Sequence, residues 1–75
     1  MRELPIDDDM IRLGQFLKLA DLVDTGGAGK ILIASGDVLV NGETETRRGR
    51  QLRPGDVVEV FGRRVRVASR PDDVV

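Results

Sequence analysis

The sequence predicts an α+β domain, with two short helices packed on a small antiparallel sheet. Three observations carry this expectation. Leu13, Phe16, Leu17 and Ala20 fall at helical spacing. A second apolar segment, Ala28, Ile31 and Leu32, opens after Thr25 and stops at Gly36. From Val38 onward the period changes to alternation, punctuated by the hairpin signal Asn41-Gly42.

Taken in order, Arg2 to Ile6 is expected as a short strand, and Pro5 confines it to a sheet edge. Asp7, Asp8 and Asp9 stand where a helix N-terminus favours acids, so one of them is expected to cap a helix over about residues 9–20. Residues 21–29 read as a connector, because Gly26, Gly27 and Gly29 disfavour a helix interior. Thr25 can nevertheless cap a second helix that starts within it and ends before Gly36. That helix is too short to stand alone and must be held by packing on the first helix and the sheet.

Val38 to Val40 is a strand, Asn41-Gly42 a turn in which both residues tolerate positive φ, and Glu43 to Thr46 the returning strand. Pro54-Gly55-Asp56 is a turn. Val57 to Phe61, a Gly62-Arg63 turn and Arg64 to Ala68 form a second hairpin, with Arg64 and Arg66 on one face and Val65 and Val67 on the other. Phe16 and Phe61 are expected in the core. A single domain over residues 1–70 follows, with 71–75 expected as a disordered tail.

Composition narrows the chemistry. A chain of 75 residues makes one domain with little stability to spare. Without Cys or His it can form neither a disulfide nor a thiolate or imidazole metal site, so no cofactor is implied. No apolar stretch approaches the roughly 20 residues that span a bilayer. The start lacks a signal-peptide layout. A cytoplasmic protein with no membrane partner is expected.

The net charge of -1 argues against nucleic acid, but its distribution does not. Residues 1–26 hold three cations against six acids, whereas residues 27–70 hold nine against five. Such asymmetry creates an anion-binding face on a nearly neutral molecule. Arg47, Arg48, Arg50 and Arg53 fall within seven residues with no acid between them. Arginine offers a planar fork for phosphate, so this cluster is a candidate nucleic-acid contact, against the alternative of an ordinary solvated loop. Arg63, Arg64 and Arg66 are weaker candidates, because Glu59 can face them across the hairpin.

Gly26-Gly27-Ala28-Gly29-Lys30 lacks the spacing of a nucleotide-hydrolysing P-loop, and Ile31 stands where that loop needs Ser or Thr. Free N–H groups at a helix start beside Lys30 can still hold an RNA phosphate without chemistry. The carboxylates are spaced as a helix start rather than as an acid–base pair, so no enzyme is expected. The absence of Trp and Tyr counts against a base-stacking platform for single strands.

Arg12-Leu13, Lys30 to Ile33, Gly36-Asp37-Val38-Leu39-Val40-Asn41-Gly42 and Pro54-Gly55-Asp56-Val57-Val58 together resemble the S-four domain, or alpha-L RNA-binding motif, over about residues 11–60. Leu13 to Leu19, Gly26-Gly27 and Glu45-Thr46-Arg47-Arg48 are similar to its small stand-alone bacterial members, the YbcJ-like proteins. The resemblance implies two packed helices on a strongly bent antiparallel sheet. It also implies RNA contacts from the start of the first helix, the second helix and the following loop, here Arg12, Lys30, Arg47, Arg48 and Arg50. Where many members have Ser-Arg at the start of the second helix, this chain has Thr25-Gly26, so one usual cation is missing.

The expected function is therefore non-catalytic binding of structured RNA through phosphates. Lys30, Arg47, Arg48 and Arg50 would carry it, with Arg12 and Arg53 in support. By family analogy the RNA is ribosomal or its precursor, and a ribosomal subunit or assembly factors are further candidate partners. The alternative is a protein–protein adaptor that docks through the acidic N-terminal region.

Overall fold

The computed structural model describes residues 1–70. The tail expected at 71–75 lies outside the described residues. Strand β1 (Arg2–Ile6) and the short β2 (Ile11–Arg12) precede α1 (Leu13–Leu19) and α2 (Gly26–Ala34). Then come β3 (Val38–Val40), β4 (Glu43–Thr44), β5 (Gln51–Leu52), β6 (Val57–Val60) and β7 (Arg63–Ser69). Five strands form one sheet in the order β1-β7-β6-β3-β4, and β2 pairs with β5 in a separate two-stranded ribbon.

The expected α+β architecture is present, but the sheet is mixed rather than wholly antiparallel. β1 runs parallel to β7, with Arg2 opposite Val65 and Ile6 opposite Ser69. Register explains the choice of partner. Half-buried Leu4 lies opposite buried Val67, so the apolar positions of both strands fall on the core face. Both helices and strands β2 to β6 lie between these strands and supply the long crossover that a parallel pair needs.

The first helix is shorter than its sequence suggests. Ile11 and Arg12 are extended and pair with Leu52 and Gln51, because Ile11 and the fully buried Leu52 enter the core together. The acids at 7–9 do not cap α1. Its N-cap is Arg12, which makes no side-chain cap bond. Instead the Leu13 and Gly14 N–H groups donate to the carbonyls of Arg50 and Arg48, at 2.8 and 3.1 Å. A distant loop thus satisfies two donors that a helix start leaves open.

Thr25 caps α2 as expected, its hydroxyl accepting from Ala28 N–H at 3.1 Å. Both helices end in Schellman motifs. Asp21 (φ 57°) closes α1 with Asp21 N–H to Lys18 O and Leu22 N–H to Leu17 O. Gly36 (φ 80°) closes α2 with the equivalent pair to Ile33 O and Leu32 O.

Leu13, Phe16 and Leu17 of α1 and Ile33 of α2 pack with Val38, Val58, Val65 and Val67 of the sheet. Phe61 is not among them. β6 ends at Val60, and Phe61 and Gly62 (φ 50° and 81°) make the turn, leaving Phe61 73% exposed. The two-residue turn falls one residue earlier than the Gly62-Arg63 that the sequence suggests, with both turn residues at positive φ.

The Asn41-Gly42 and Pro54-Gly55-Asp56 turns are tied to each other. Asn41 donates its amide to Asp56 Oδ1 (3.0 Å) and accepts from Val57 N–H (2.9 Å). Asp56 Oδ2 accepts from Arg53 N–H at 2.8 Å.

Candidate nucleic-acid interface

The arginine loop leaves the sheet at Glu45, and this residue organises it. The expected returning strand at 43–46 stops at Thr44, and Glu45 turns inward until its side chain is only 8% exposed. Its carboxylate accepts four hydrogen bonds. Oε2 takes Arg47 N–H (3.0 Å) and Arg47 Nε (3.1 Å). Oε1 takes Arg47 Nη2 (3.1 Å) and Arg50 Nη1 (2.8 Å). The Arg47 fork is the main cause, and Arg50 the second, of a Glu45 pKa lowered from 4.5 to about 2. The same contact raises the pKa of Arg47. Two of the four loop arginines are thus partly neutralised by an acid just ahead of the cluster.

The loop then docks on the start of α1. The Arg48 and Arg50 carbonyls receive the first two amides of the helix, and Arg48 folds its side chain across Gly14. A Cβ at position 14 would lie 2.8 Å from Arg48 Cγ, inside contact distance, so this approach requires glycine. The result is an open cleft of about 550 Å³. Arg12, Lys18 and Arg48 line it together with Gly14, Gly26 and Gly49, and Gln15. None of the three cations makes an ion pair among the described residues.

Of the residues singled out from sequence, Arg12 and Arg48 meet in this cleft. Lys30 is exposed on α2, one turn beyond Gly26 and therefore on the same side of that helix. Arg47 is 73% exposed beyond its pairing with Glu45, and Arg50 half-buried. Arg53 lies outside the cleft, its backbone held in the Asp56 turn. Lys18 was not a sequence candidate. Its signal was its place four residues after Gly14, one turn along the same helix face.

The arginines of β7, and Arg70 just after it, are engaged elsewhere, Arg63 donating to Asp21 O at 3.3 Å. Arg64 bonds Glu59 at 3.0 Å across the hairpin, as expected, Arg66 bonds Glu3 at 3.2 Å, and Arg70 bonds Asp7 at 2.9 Å. A second hollow of about 710 Å³ lies on the other side of Gln15 and Lys18, where Leu4, Met10, Ile11 and Leu19 meet Asp7 and Asp8.

A docked arginine loop and three cations that make no ion pair among the described residues surround glycine-lined space in a small α+β domain. Residues 4–68 match the S4 domain model, and the chain belongs to that family. It is 54% identical over 59 residues to the probable ribosome maturation protein RlbA of Bacillus subtilis (strain 168). That match covers 79% of this chain and 83% of the relative.

Among solved structures, the chain is similar to YbcJ from E. coli, described as having an alfaL motif involved in RNA-binding. The TM-score is 0.66 at 32% identity, over 91% of this chain and 85% of YbcJ. It is also similar to the 30S ribosomal protein S4e from Thermoplasma acidophilum, with a TM-score of 0.62 at 25% identity. There 80% of this chain matches about a third (32%) of the larger protein. The family match takes in β1 and β7, beyond the 11–60 span of the sequence resemblance.

Proposed function

We propose that this protein is a non-catalytic, single-domain RNA-binding protein of the cytoplasm. It grips structured RNA, ribosomal RNA or its precursor, through phosphates. The observation that carries this reading is the convergence of Arg12, Lys18 and Arg48, unpaired among the described residues, on one open cleft.

Arg48 presents a planar fork there, and Arg12 and Lys18 flank it as further positive charge. Lys30 extends the cationic track along α2. The exposed surface of Arg47 and Arg50 extends it along the loop, with Arg53 at its margin. Phosphate contacts of this kind position a protein without reading base sequence, so shape decides which RNA is held. The ribosomal target is supported by the kinship with RlbA and with a ribosomal protein's domain.

The test is binding to labelled ribosomal RNA fragments across a salt series. Arg12→Ala, Lys18→Ala and Arg48→Ala should each weaken binding and each reduce the log–log salt slope by about 1. These single variants are better probes than removal of Arg47 or Arg50, which would strip partners from Glu45. A folded protein that binds no RNA at low salt would refute the reading. The apolar, acid-rimmed hollow lined by Met10, Leu19, Asp7 and Asp8 supports the second reading, a protein adaptor, which that outcome would leave standing.

A further inference from the structure

By charge alone, a carboxylate beside a polyanion site weakens binding. The geometry around Glu45 points the other way. Its two oxygens grip Arg47 and Arg50, the two ends of a turn closed by Arg50 N–H donating to Arg47 O at 3.2 Å. The carbonyls of Arg48 and Arg50 within that turn hold the first two amides of α1. Between the fixed ends, the Arg48 side chain is laid over Gly14 into the cleft.

We propose that Glu45 is the positioning residue of the RNA interface: it fixes the 47–50 turn on the start of α1 so that Arg48 faces the bound phosphate, and it thereby raises affinity for RNA despite its negative charge. The inference rests on the RNA-binding reading above. It also ranks the loop's cations. Arg47 and Arg50 share one carboxylate, whereas Arg48 keeps its whole charge for the ligand.

The experiment compares wild type, Glu45→Gln, Arg48→Ala and the double variant on labelled ribosomal RNA fragments, with amide exchange by NMR on the free proteins. Glu45→Gln removes hydrogen bonds made to charged groups, and its binding should fall by roughly tenfold although the protein gains a unit of positive charge. In the Arg48→Ala background the same change should cost no further affinity, which a general loss of structure would not reproduce. Exchange should speed up at Leu13 and Gly14, the two amides held by the loop, and stay slow at Val58 and Val65 in the core.

Equal or tighter binding by Glu45→Gln, while Arg48→Ala still weakens it, overturns this inference and leaves the RNA-binding reading intact. Absence of binding by wild type removes both. Should Glu45→Gln not fold, the wild-type complex decides. The Arg48 guanidinium signal should shift most as RNA is added, and those of Arg47 and Arg50, held by Glu45, should shift less. Larger shifts at Arg47 and Arg50 than at Arg48 contradict the proposal.

Discussion

At the scale of single residues, the molecule places charges by trading local cost for position. Burying Glu45 would be unfavourable alone, but four hydrogen bonds from two arginines hold its folded pKa at about 2, below its ordinary 4.5. A group whose pKa falls on folding contributes stability above its unfolded value and loses it as pH drops through its folded value. Urea midpoints should therefore decline from about pH 4.5 toward about pH 2 in wild type. Glu45→Gln should be less stable at neutral pH, by about 1–3 kcal/mol, and the gap should close near the acid end of that window.

Gly14 offers a complementary test. Alanine there gains about 0.5–1 kcal/mol of helix preference, yet its Cβ would stand 2.8 Å from Arg48 Cγ and evict that side chain from the cleft. Gly14→Ala should leave thermal stability unchanged or slightly higher and weaken RNA binding, as thermal unfolding and a titration would record together.

At the scale of elements, what could be read from sequence was what neighbours in the chain decide. Thr25 and Gly36 act within three or four residues of themselves, the backbone of Asn41-Gly42 turns its own hairpin, and each does what its chemistry suggests. The start of α1 was hidden because its cap comes from carbonyls at 48 and 50, far along the chain. The acids at 7–9 drew the expectation toward a helix start that β2 occupies instead. Phe61 misled for a related reason, since a large apolar side chain reads as core unless its backbone is known to take positive φ.

The two turns that resembled a family signature are one unit in space, joined by the bonds of Asn41 to Asp56 and to the Val57 amide. Asn41→Ala removes both bonds and leaves at φ 53° a residue without the short polar side chain that lets Asn tolerate the left-handed region. It should lower stability by about 2–3 kcal/mol in urea unfolding, and Asn41→Gly, free of the backbone penalty, by less.

At the scale of the whole molecule, acids and bases are sorted by place. Arg64, Arg66 and Arg70 are bonded to Glu59, Glu3 and Asp7 on the β6, β7 and β1 side, while Arg12, Lys18 and Arg48 make no ion pair among the described residues. The arginine loop was visible in sequence, but its division was not. Glu45 read as part of the returning strand, and Lys18 was not singled out in its helix. Which cation stays available depends on contacts made across the fold. The direction of β1 was equally invisible, because alternation marks a strand without saying which way its neighbour runs.

That direction has a mechanical consequence. A force applied at Arg2 and Ser69 would enter the sheet at opposite ends of two parallel neighbours and slide them past each other. Every hydrogen bond between them would then carry load at the same moment, together with the Arg66–Glu3 bond. The antiparallel β6·β7 pair, pulled at its open end, would peel one rung at a time. The first and last strands thus act as a shear clasp, and tension along the chain meets the small domain at its most resistant seam.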